Sequence, residues 1–210
     1  MARDIDPKCK KCRRAGEKLF LKGERCDSTK CAMVKRNYPP GAHGQKMRRR
    51  PSNYGIQLNE KQKAKRMYGL LEKQFKNYYF KAIKKEGKTG ELIFRFLEMR
   101  LDNVVYRAAL AASRNQARQL VTHGTFKVNG KRVDVPSYQV KVGDEIVVKP
   151  SKVKDSGLWE ERQKLLKKAE PAAWLELDAK DLKVKVMSEP TETDFEQMID
   201  MSQIVEFYSK

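Results

Sequence analysis

Apolar residues recur every three or four positions through residues 60–82, and this spacing predicts amphipathic helices. Asn59 is a candidate N-cap for the first helix, and Gly69 is expected to divide the segment into two helices. Thr89 is a candidate N-cap for a third helix, and a helical pattern continues to Leu110. The apolar stripe of the 60–82 segment consists of Ala64, Met67, Tyr68, Leu71, Phe75, Tyr78, Tyr79 and Ala82. This stripe favours a protein core over a platform for stacking bases.

The second half of the chain changes from helical to alternating spacing. Ser113 and Gln116 form a capping box that predicts a short helix ending at Gly124, and Asn129-Gly130 is a two-residue hairpin signal. Further strands are predicted over 138–142, 146–148, 174–177 and 183–186, with a polar helix over 157–169. Residues 189–194 are expected to be a linker. A final helix around 202–208 is too apolar to stand alone, so we expect it to pack on the earlier helices.

These elements predict an α+β protein with three parts. Residues 1–45 are expected to form a four-cysteine, metal-bound N-terminal extension with a basic loop. Residues 46–98 are expected to form a helical domain that residues 188–210 complete. Residues 99–187 are then an inserted, small mixed domain with an antiparallel sheet and an RNA-binding helix–hairpin unit.

The charge balance of the chain indicates a polyanionic partner. It has 46 basic and 27 acidic residues, a net charge of +19. Residues 1–50 hold 16 basic and 5 acidic groups, whereas residues 151–210 hold 10 and 13. No apolar run approaches the roughly 18 residues of a membrane-spanning helix, and the first residues do not resemble a secretory signal. We therefore expect a cytoplasmic protein that binds nucleic acid, with no membrane partner.

All four cysteines lie within the first 31 residues, as Cys9-x2-Cys12 and Cys26-x4-Cys31 with thirteen residues between the pairs. This spacing is typical of a tetrahedral four-cysteine site, so we expect a structural zinc ion. Four protein ligands would leave no open position for catalysis. An iron–sulfur cluster accepts the same four ligands and stays open as an alternative. Buried reduced cysteines or disulfides are less consistent with a hydrophilic, cytosolic segment.

The capped helix and the hairpin gather several basic side chains in one small unit. Packing of Ala117, Leu120 and Val121 is expected to leave Arg114 and Arg118 exposed on the opposite face. A solvated helix face beside a charged hairpin is the alternative interpretation. Further cations lie around the first cysteine pair and on the 46–50 loop, and the lysines and arginines of the first helices, Lys61 and Lys63 among them, are expected on the exposed surface outside the apolar stripe. The candidate RNA-binding residues are Lys10, Lys11, Arg13, Arg14, Lys46, Arg48, Arg49, Arg50, Lys61, Lys63, Lys65, Arg66, Lys73, Lys76, Arg107, Arg114, Arg118, Lys127, Asn129, Lys131 and Arg132.

Several motifs carry a resemblance to one family. The segments 100–107 (RLDNVVYR), 113–133, 135–138 (VPSY) and 204–210 (IVEFYSK), together with 40–44 (PGAHG), resemble bacterial small-subunit ribosomal protein S-four. The resemblance covers essentially the whole chain, and the four cysteines are similar to the metal-containing branch of that family. Where family members often have Leu-Gly after the motif arginine, this chain has Ala108-Ala109-Leu110.

The resemblance implies a primary binder of 16S ribosomal RNA that nucleates assembly of the small-subunit body. It also implies a position where mRNA enters the subunit, contact with the neighbouring protein S-five, and an influence on decoding accuracy. No small-molecule substrate is expected.

An RNA-modifying enzyme is a competing interpretation, because Arg100-Leu101-Asp102 resembles the Arg-Leu-Asp motif of some pseudouridine synthases. Too little chain follows for a catalytic fold of that kind, so Asp102 is expected to be a helix-terminal or salt-bridging carboxylate. Elsewhere the sequence shows no paired carboxylates or nucleophile–base arrangement, and its two histidines are His43 and His123. We therefore expect a protein that is not an enzyme. A zinc-containing RNA-binding regulator or assembly factor is a further alternative.

Overall fold

The chain divides into two compact units, and each is described by itself. The computed structural model describes residues 4–46, 50–151, 157–166, 170–191 and 199–209. Unit 1 joins Met1–Phe94 to Glu196–Lys210, and unit 2 is Arg95–Phe195. The protein combines helices with a five-stranded antiparallel sheet, as the α+β prediction requires. The predicted three-part division at residues 45, 98 and 187 stays a prediction.

Unit 1 is helical in the part of it that the structure describes. Its helices are α1 (Lys8–Ala15), α2 (Glu24–Asp27), α3 (Ala32–Lys35), α4 (Asn53–Met67), α5 (Glu72–Ile83), α6 (Thr89–Glu98) and the last helix of the chain, α10 (Met201–Ser209), with α6 crossing the boundary into unit 2.

The start of α4 differs from the sequence prediction. Ser52 caps the helix, since its hydroxyl accepts a hydrogen bond from the Gly55 amide at 3.2 Å. Asn59 therefore lies inside the helix, and the prediction that it begins one was wrong. The break at Gly69 is confirmed, because this glycine has φ +64° between α4 and α5 and a left-handed backbone suits glycine.

The last helix packs on α4 and α5, which confirms the expectation that it returns to the earlier helices. The Tyr54 and Phe207 rings lie 5.6 Å apart, and the Phe75 and Tyr208 rings 6.2 Å apart. The Gln57 side-chain amide donates to Glu206 at 2.7 Å. Unit 1 is thus closed by a segment that follows all of unit 2 in sequence.

Unit 2 places helices against a sheet with strand order β2-β1-β3-β5-β4. Its core contains Phe126, Ile146, Val184, Trp159 and Trp174, all almost fully buried. The helices that lie wholly in it are α7 (Leu101–Arg107), α8 (Arg114–Thr122) and α9 (Leu158–Leu166), and its strands are β1 (Phe126–Val128), β2 (Lys131–Arg132), β3 (Glu145–Val148), β4 (Leu175–Asp178) and β5 (Lys183–Val186).

The strand predicted over 138–142 is not formed. Gln139 makes an isolated bridge with Arg100, and the backbone of the segment bonds to the residues that lead into α7. The Leu101 amide donates to the Tyr138 carbonyl at 2.9 Å, and the Val140 amide donates to the Met99 carbonyl at 2.9 Å. The apolar alternation there reflects the burial of Val140 under this connection rather than membership of the sheet.

The Ser113 cap and the hairpin turn are confirmed. The Ser113 hydroxyl accepts from the Gln116 amide at 3.3 Å, whereas the Gln116 side chain accepts from the Ala112 amide at 2.7 Å and not from the Ser113 amide that a full capping box uses. Asn129 and Gly130 have φ values of +48° and +77°, which is the pair of left-handed residues that a tight two-residue hairpin needs. Across the residues that the structure describes, no helix combines the length and the apolar content needed to cross a membrane.

Candidate nucleic-acid interface

Three of the arginines that were predicted to bind RNA lie in a charge network between α6, α7 and α8. We call this set the arginine network: Glu98, Arg100, Asp102, Asn103, Arg107, Arg114 and Arg118. Arg118 is only 5% exposed, so the prediction that it lies on an open helix face was wrong. Its long side chain turns toward buried carboxylates instead of solvent.

Glu98 accepts several of the hydrogen bonds in this network. Its side chain has no solvent exposure, and it accepts from Arg107 Nε at 2.8 Å and from Arg107 Nη2 at 3.1 Å. The Asn103 side-chain amide donates to the same carboxylate at 2.9 Å. A buried carboxylate is tolerated only when paired in this way. In the sequence, Glu98 is an acidic residue one turn beyond Phe94 on an apolar helix. It was not predicted to belong to the site.

Asp102 is the second buried carboxylate. Arg100 donates to it through Nε at 3.0 Å and Nη2 at 2.7 Å, and Arg118 Nη1 lies 3.4 Å from it. Asp102 also lies in the first turn of α7, where the helix dipole favours a negative charge. The expectation of a helix-terminal or salt-bridging carboxylate is confirmed.

Arg114 and Arg107 keep part of their surface open. Their side chains are 10% and 19% exposed. Arg114 donates from Nε to the Asn103 side-chain oxygen at 2.8 Å, and its guanidinium lies 4.6 Å from the centroid of the Tyr106 ring. Because the network holds four arginines and two carboxylates, it keeps a net positive charge while its members are held in fixed positions.

The β1–β2 hairpin presents the exposed cations of this unit. Lys127, Lys131 and Arg132 are all exposed, as predicted. The Arg132 guanidinium lies against Gly124, where an added Cβ would come within 2.6–2.7 Å of its nitrogens, and the φ of +65° at this position favours glycine. The hairpin is therefore adjacent to the end of α8, and its three exposed cations form one cationic surface.

Asn129 has a structural function that the sequence did not reveal. Its side-chain amide donates to Asp144 at 2.8 Å, and its side-chain oxygen accepts from the Glu145 amide at 2.9 Å. The hairpin turn is thereby fixed to the turn before β3. Its predicted contact with RNA stays a prediction.

Unit 1 brings together four cations, which we call the α1–α4 cation cluster: Lys11, Arg14, Lys65 and Arg66. Burial, and then the neighbouring Arg14, lower the pKa of Arg66. Burial and the charges of Arg66 and Lys65 lower the pKa of Lys11. In the part of the chain that the structure describes, no carboxylate pairs with Arg14 or Arg66. Lys11 and Lys65 pair with Asp4 and Glu72, so the uncompensated repulsion is that between Arg14 and Arg66, and an external polyanion would relieve it.

Other lysines of α4 serve the fold. Lys61 and Lys63 are 5% and 7% exposed, so the prediction that they decorate the surface was wrong. Lys63 pairs with Glu17 at 3.1 Å and Glu60 at 3.0 Å. Burial alone would disfavour its ammonium, but these bonds raise the pKa of Lys63.

Glu72 joins α4, α5 and α10. Lys61 and Lys65 donate to it at 2.8 and 3.0 Å, and the Tyr208 hydroxyl donates at 2.7 Å. Burial alone would raise the pKa of Glu72, yet these bonds lower it to about 2. Burial, followed by the bond to Glu72, raises the pKa of Tyr208. Lys61 Nζ also lies 4.2 Å from the centroid of the Phe207 ring.

The remaining candidates are placed singly. Arg13 is held within unit 1, because its Nε donates to the Tyr38 carbonyl at 2.8 Å and its guanidinium lies 4.8 Å from the Tyr38 ring centroid. The exposed candidates of unit 1 are Lys10, Arg14, Lys46, Arg50, Lys73 and Lys76. Arg48 and Arg49 lie outside the described residues.

All four cysteines line one cavity of about 20 Å³, next to Leu21. Cys12, Cys26 and Cys31 are buried, and Cys9 is partly buried. Backbone amides point at two of the sulfurs, since the Lys22 amide donates to Cys26 Sγ at 3.3 Å and Leu19 supplies a backbone hydrogen bond to Cys12. Within the described residues, no three histidine, cysteine or acidic side chains are gathered as ligands of one ion. The four cysteines that the sequence grouped therefore line one cavity, and their binding of a metal stays a prediction.

Two comparisons identify the family of this cationic protein. The sequence model of the Ribosomal protein S4/S9 N-terminal domain matches residues 3–98, and that of the S4 domain matches residues 99–146. The small ribosomal subunit protein uS4 of Acetivibrio thermocellus is 53% identical over 210 residues, which is 100% of both chains. The chain belongs to the small ribosomal subunit protein uS4 family.

Other uS4 relatives match over the same extent. Those of Thermus thermophilus and Clostridioides difficile are 50% and 52% identical, with 100% of each chain covered. The S4-domain match includes all of α7, α8, β1 and β2, so it covers the arginine network from Arg100 onward and the hairpin. Strands β4 and β5 follow the matched residues. The resemblance drawn from the sequence is confirmed for the uS4 family, whereas the four-cysteine branch stays a prediction.

Proposed function

We propose that this protein is a structural component of the small ribosomal subunit that binds 16S ribosomal RNA early and nucleates assembly of the subunit body. The observation that carries the proposal is the end-to-end match to uS4 proteins at about half identity. The cationic surfaces of both units agree with it. In this role the protein acts in the cytoplasm as an RNA-binding scaffold rather than as an enzyme.

The mechanism follows from how the cations are held. The α1–α4 cation cluster in unit 1 and the hairpin lysines in unit 2 present charges that phosphates can neutralise. The deep groove of A-form RNA excludes an entering helix, so these side chains bind phosphates and read the shape of a folded junction. Each phosphate contact releases counterions, and affinity should therefore fall steeply with salt.

Chemical footprinting of 16S ribosomal RNA with and without the protein tests this function. Protection confined to one junction at moderate salt is expected for a primary binder. The control variant is Lys183→Ala, which removes one charge outside the predicted surfaces and should protect the RNA as the native protein does. Lys183 is a partly exposed lysine that pairs with Glu145 at 2.9 Å. Weak protection spread over the whole RNA would contradict the proposal. Stable copurification with mature small subunits would separate a ribosomal component from a regulator or a transient assembly factor.

The finer functional proposals rest on the family resemblance. They are a position where mRNA enters the subunit, contact with the neighbouring protein S-five, and an effect on decoding accuracy. Reconstituted small subunits that contain charge-neutralised variants of this protein should show altered misreading of near-cognate codons. Misreading at the native level in every such variant would contradict the accuracy proposal.

We also propose that Cys9, Cys12, Cys26 and Cys31 hold one structural zinc ion, with an iron–sulfur cluster as the alternative. Two observations support a fit. The four cysteines share a cavity, and backbone hydrogen bonds from Lys22 and Leu19 reach the sulfurs of Cys26 and Cys12. Bound zinc would supply folding free energy to a segment with little apolar core.

Native mass spectrometry with elemental analysis tests the metal. One zinc per chain is expected, together with loss of helical signal when a chelator removes it. Cys26→Ser should abolish binding, whereas Thr29→Ala, a change at an exposed residue of the same loop, should not. Protein prepared without chelators that contains neither zinc nor iron would contradict the site.

A further inference from the structure

Helix α5 carries an aromatic side chain in the middle of its exposed face. Phe80 is 48% exposed and Ile83 is 52% exposed. The other apolar residues of α5 are buried in unit 1, namely Phe75, Tyr78, Tyr79 and Ala82. Phe80 is thus outside the stripe that forms the core, and about half of its surface stays exposed although its ring centroid lies 5.8 Å from that of the buried Tyr79.

Lysines surround this ring along the helix. Lys76 lies one turn before Phe80, Lys84 one turn after it, and Lys73 two turns before it, which places all three on the same face. Lys76 Nζ lies 5.5 Å from the centroid of the Phe80 ring. In the part of the chain that the structure describes, no carboxylate pairs with Lys73, Lys76 or Lys84.

The acidic residue within α5 does not neutralise this face. Between residues 72 and 84 the sequence has one acidic side chain, Glu72, and its carboxylate is bonded to Lys61, Lys65 and Tyr208. The exposed face therefore combines a flat apolar ring with uncompensated positive charge. A nucleotide offers the complementary pair of features, a flat base beside a phosphate.

We infer that Phe80 is a stacking platform for an unpaired RNA base, with Lys76 and Lys84 binding the phosphates on either side of it. The inference rests on the proposed function and names the chemistry of one contact within it. Unstacked bases occur in loops and bulges rather than in duplexes, so this face of α5 recognises a single-stranded element of the RNA. Stacking accepts any base, and the contact fixes position without reading sequence.

Substitution of Phe80 separates stacking from simple hydrophobic contact and from charge. Phe80→Leu keeps an apolar side chain but removes the ring, and Phe80→Tyr is the matched control that keeps it. Binding to 16S ribosomal RNA, measured by filter retention across a salt titration, should weaken about fivefold or more for Phe80→Leu and little for Phe80→Tyr. The slope of affinity against salt should stay unchanged for Phe80→Leu, because no phosphate contact is lost. The Lys76→Ala/Lys84→Ala double variant should lower that slope by about two.

Three outcomes decide the inference. A Phe80→Leu variant that unfolds at the native midpoint and binds RNA with native affinity overturns it. A defect that appears only when other small-subunit proteins are present also overturns it, since this face would then dock protein. Ultraviolet cross-linking of the native protein that joins the Phe80 peptide to RNA supports it. Failure of the native protein to protect any one RNA junction would instead count against the proposed function, so the two failures are distinguishable.

Discussion

The arginines of unit 2 and the cations of unit 1 show two different ways of using positive charge. In the arginine network, Arg100 and Arg118 face Asp102, and Arg107 faces Glu98, each within hydrogen-bond or salt-bridge distance. In the α1–α4 cation cluster, Lys11 and Lys65 pair with Asp4 and Glu72, whereas the charge of Arg14 lowers the pKa of Arg66 after burial has done so. Most arginines of the first set are paired inside the protein, whereas Arg14 and Arg66 meet no carboxylate among the described residues and can be neutralised by a bound polyanion.

The difference separates stability from binding. A cation that is paired with a buried carboxylate contributes to the fold, and its removal leaves a buried charge behind. A cation that is held beside other cations costs folding energy, and this cost is recovered when phosphates approach. Net charge alone cannot distinguish the two, although it correctly indicated a polyanionic partner.

The largest expected effect is a loss of stability when a buried carboxylate of the arginine network is removed. Glu98→Ala leaves Arg107 without its partner and should destabilise unit 2 by about 3–5 kcal/mol. Urea unfolding followed by tryptophan fluorescence is the measurement, since Trp159 and Trp174 both lie in the unit 2 core. The control Glu145→Gln disrupts an exposed pair and should cost at most about 1 kcal/mol. If both variants lost the same free energy of unfolding, the distinction between cations paired with buried carboxylates and cations available for binding would be wrong.

The next effect is on RNA affinity through the α1–α4 cation cluster. The double variant Arg14→Ala/Arg66→Ala should bind 16S ribosomal RNA about tenfold more weakly and lower the salt slope by about two. Its thermal unfolding midpoint should stay at the native value or rise, because repulsion within the cluster is removed. By contrast, Arg118→Ala should lower stability, so it is unsuitable as a simple test of RNA contact. If the double variant unfolded more easily and bound RNA normally, the α1–α4 cation cluster would contribute to stability and not to RNA binding.

A smaller loss of stability is expected when the Glu72 carboxylate is protonated at acidic pH. Its pKa is lowered from 4.5 to about 2 in the folded protein, so its stabilisation is present above about pH 4.5 and is lost as the pH falls toward 2. Glu72→Gln should therefore be less stable than the native protein near neutral pH, by about 1 kcal/mol after allowing for solvent screening of a side chain that is 45% exposed. Circular dichroism in urea at pH 6 and pH 2 should show this difference shrinking. A constant difference at both pH values would contradict the role of the ionised carboxylate.

The smallest effect is expected at the hairpin. Lys131→Ala should leave the unfolding midpoint unchanged, weaken RNA binding about threefold and reduce the salt slope by about one, because the side chain is exposed and supplies one phosphate contact. The matched variant Lys185→Ala removes an exposed lysine from β5, outside the predicted surface, and should leave the slope unchanged. Identical slopes for both variants would exclude a phosphate contact from Lys131.

Local signals in the sequence predicted much of the fold. The Ser113 cap and the Asn129-Gly130 turn depend on residues that are neighbours in the chain, and both were confirmed. The strand over 138–142 was wrong, because its backbone partners lie near residue 100 and no local pattern reveals them. The Asn59 cap was wrong because Ser52 offered the same chemistry about two turns earlier.

The candidate site was less predictable than the fold. Composition and motif correctly indicated an RNA-binding protein of the uS4 family, but helical spacing could not say which arginines meet carboxylates. Arg118 and Lys61 were expected to be exposed and are buried, since Asp102 and Glu72 come from other helices. Phe80 was overlooked because it is not part of the apolar stripe, although an aromatic residue among lysines is itself a readable signal.

Unit 1 requires α10, which follows the whole of unit 2 along the chain. During synthesis, every residue of unit 2 is available to fold before Glu206 and Tyr208 can reach Gln57 and Glu72. The helices of unit 1 that are synthesised first therefore keep the apolar surface that packs on α10 exposed until α10 has been synthesised. Vectorial translation therefore sets an order in which the inserted unit matures first and the unit that encloses it in sequence is completed last.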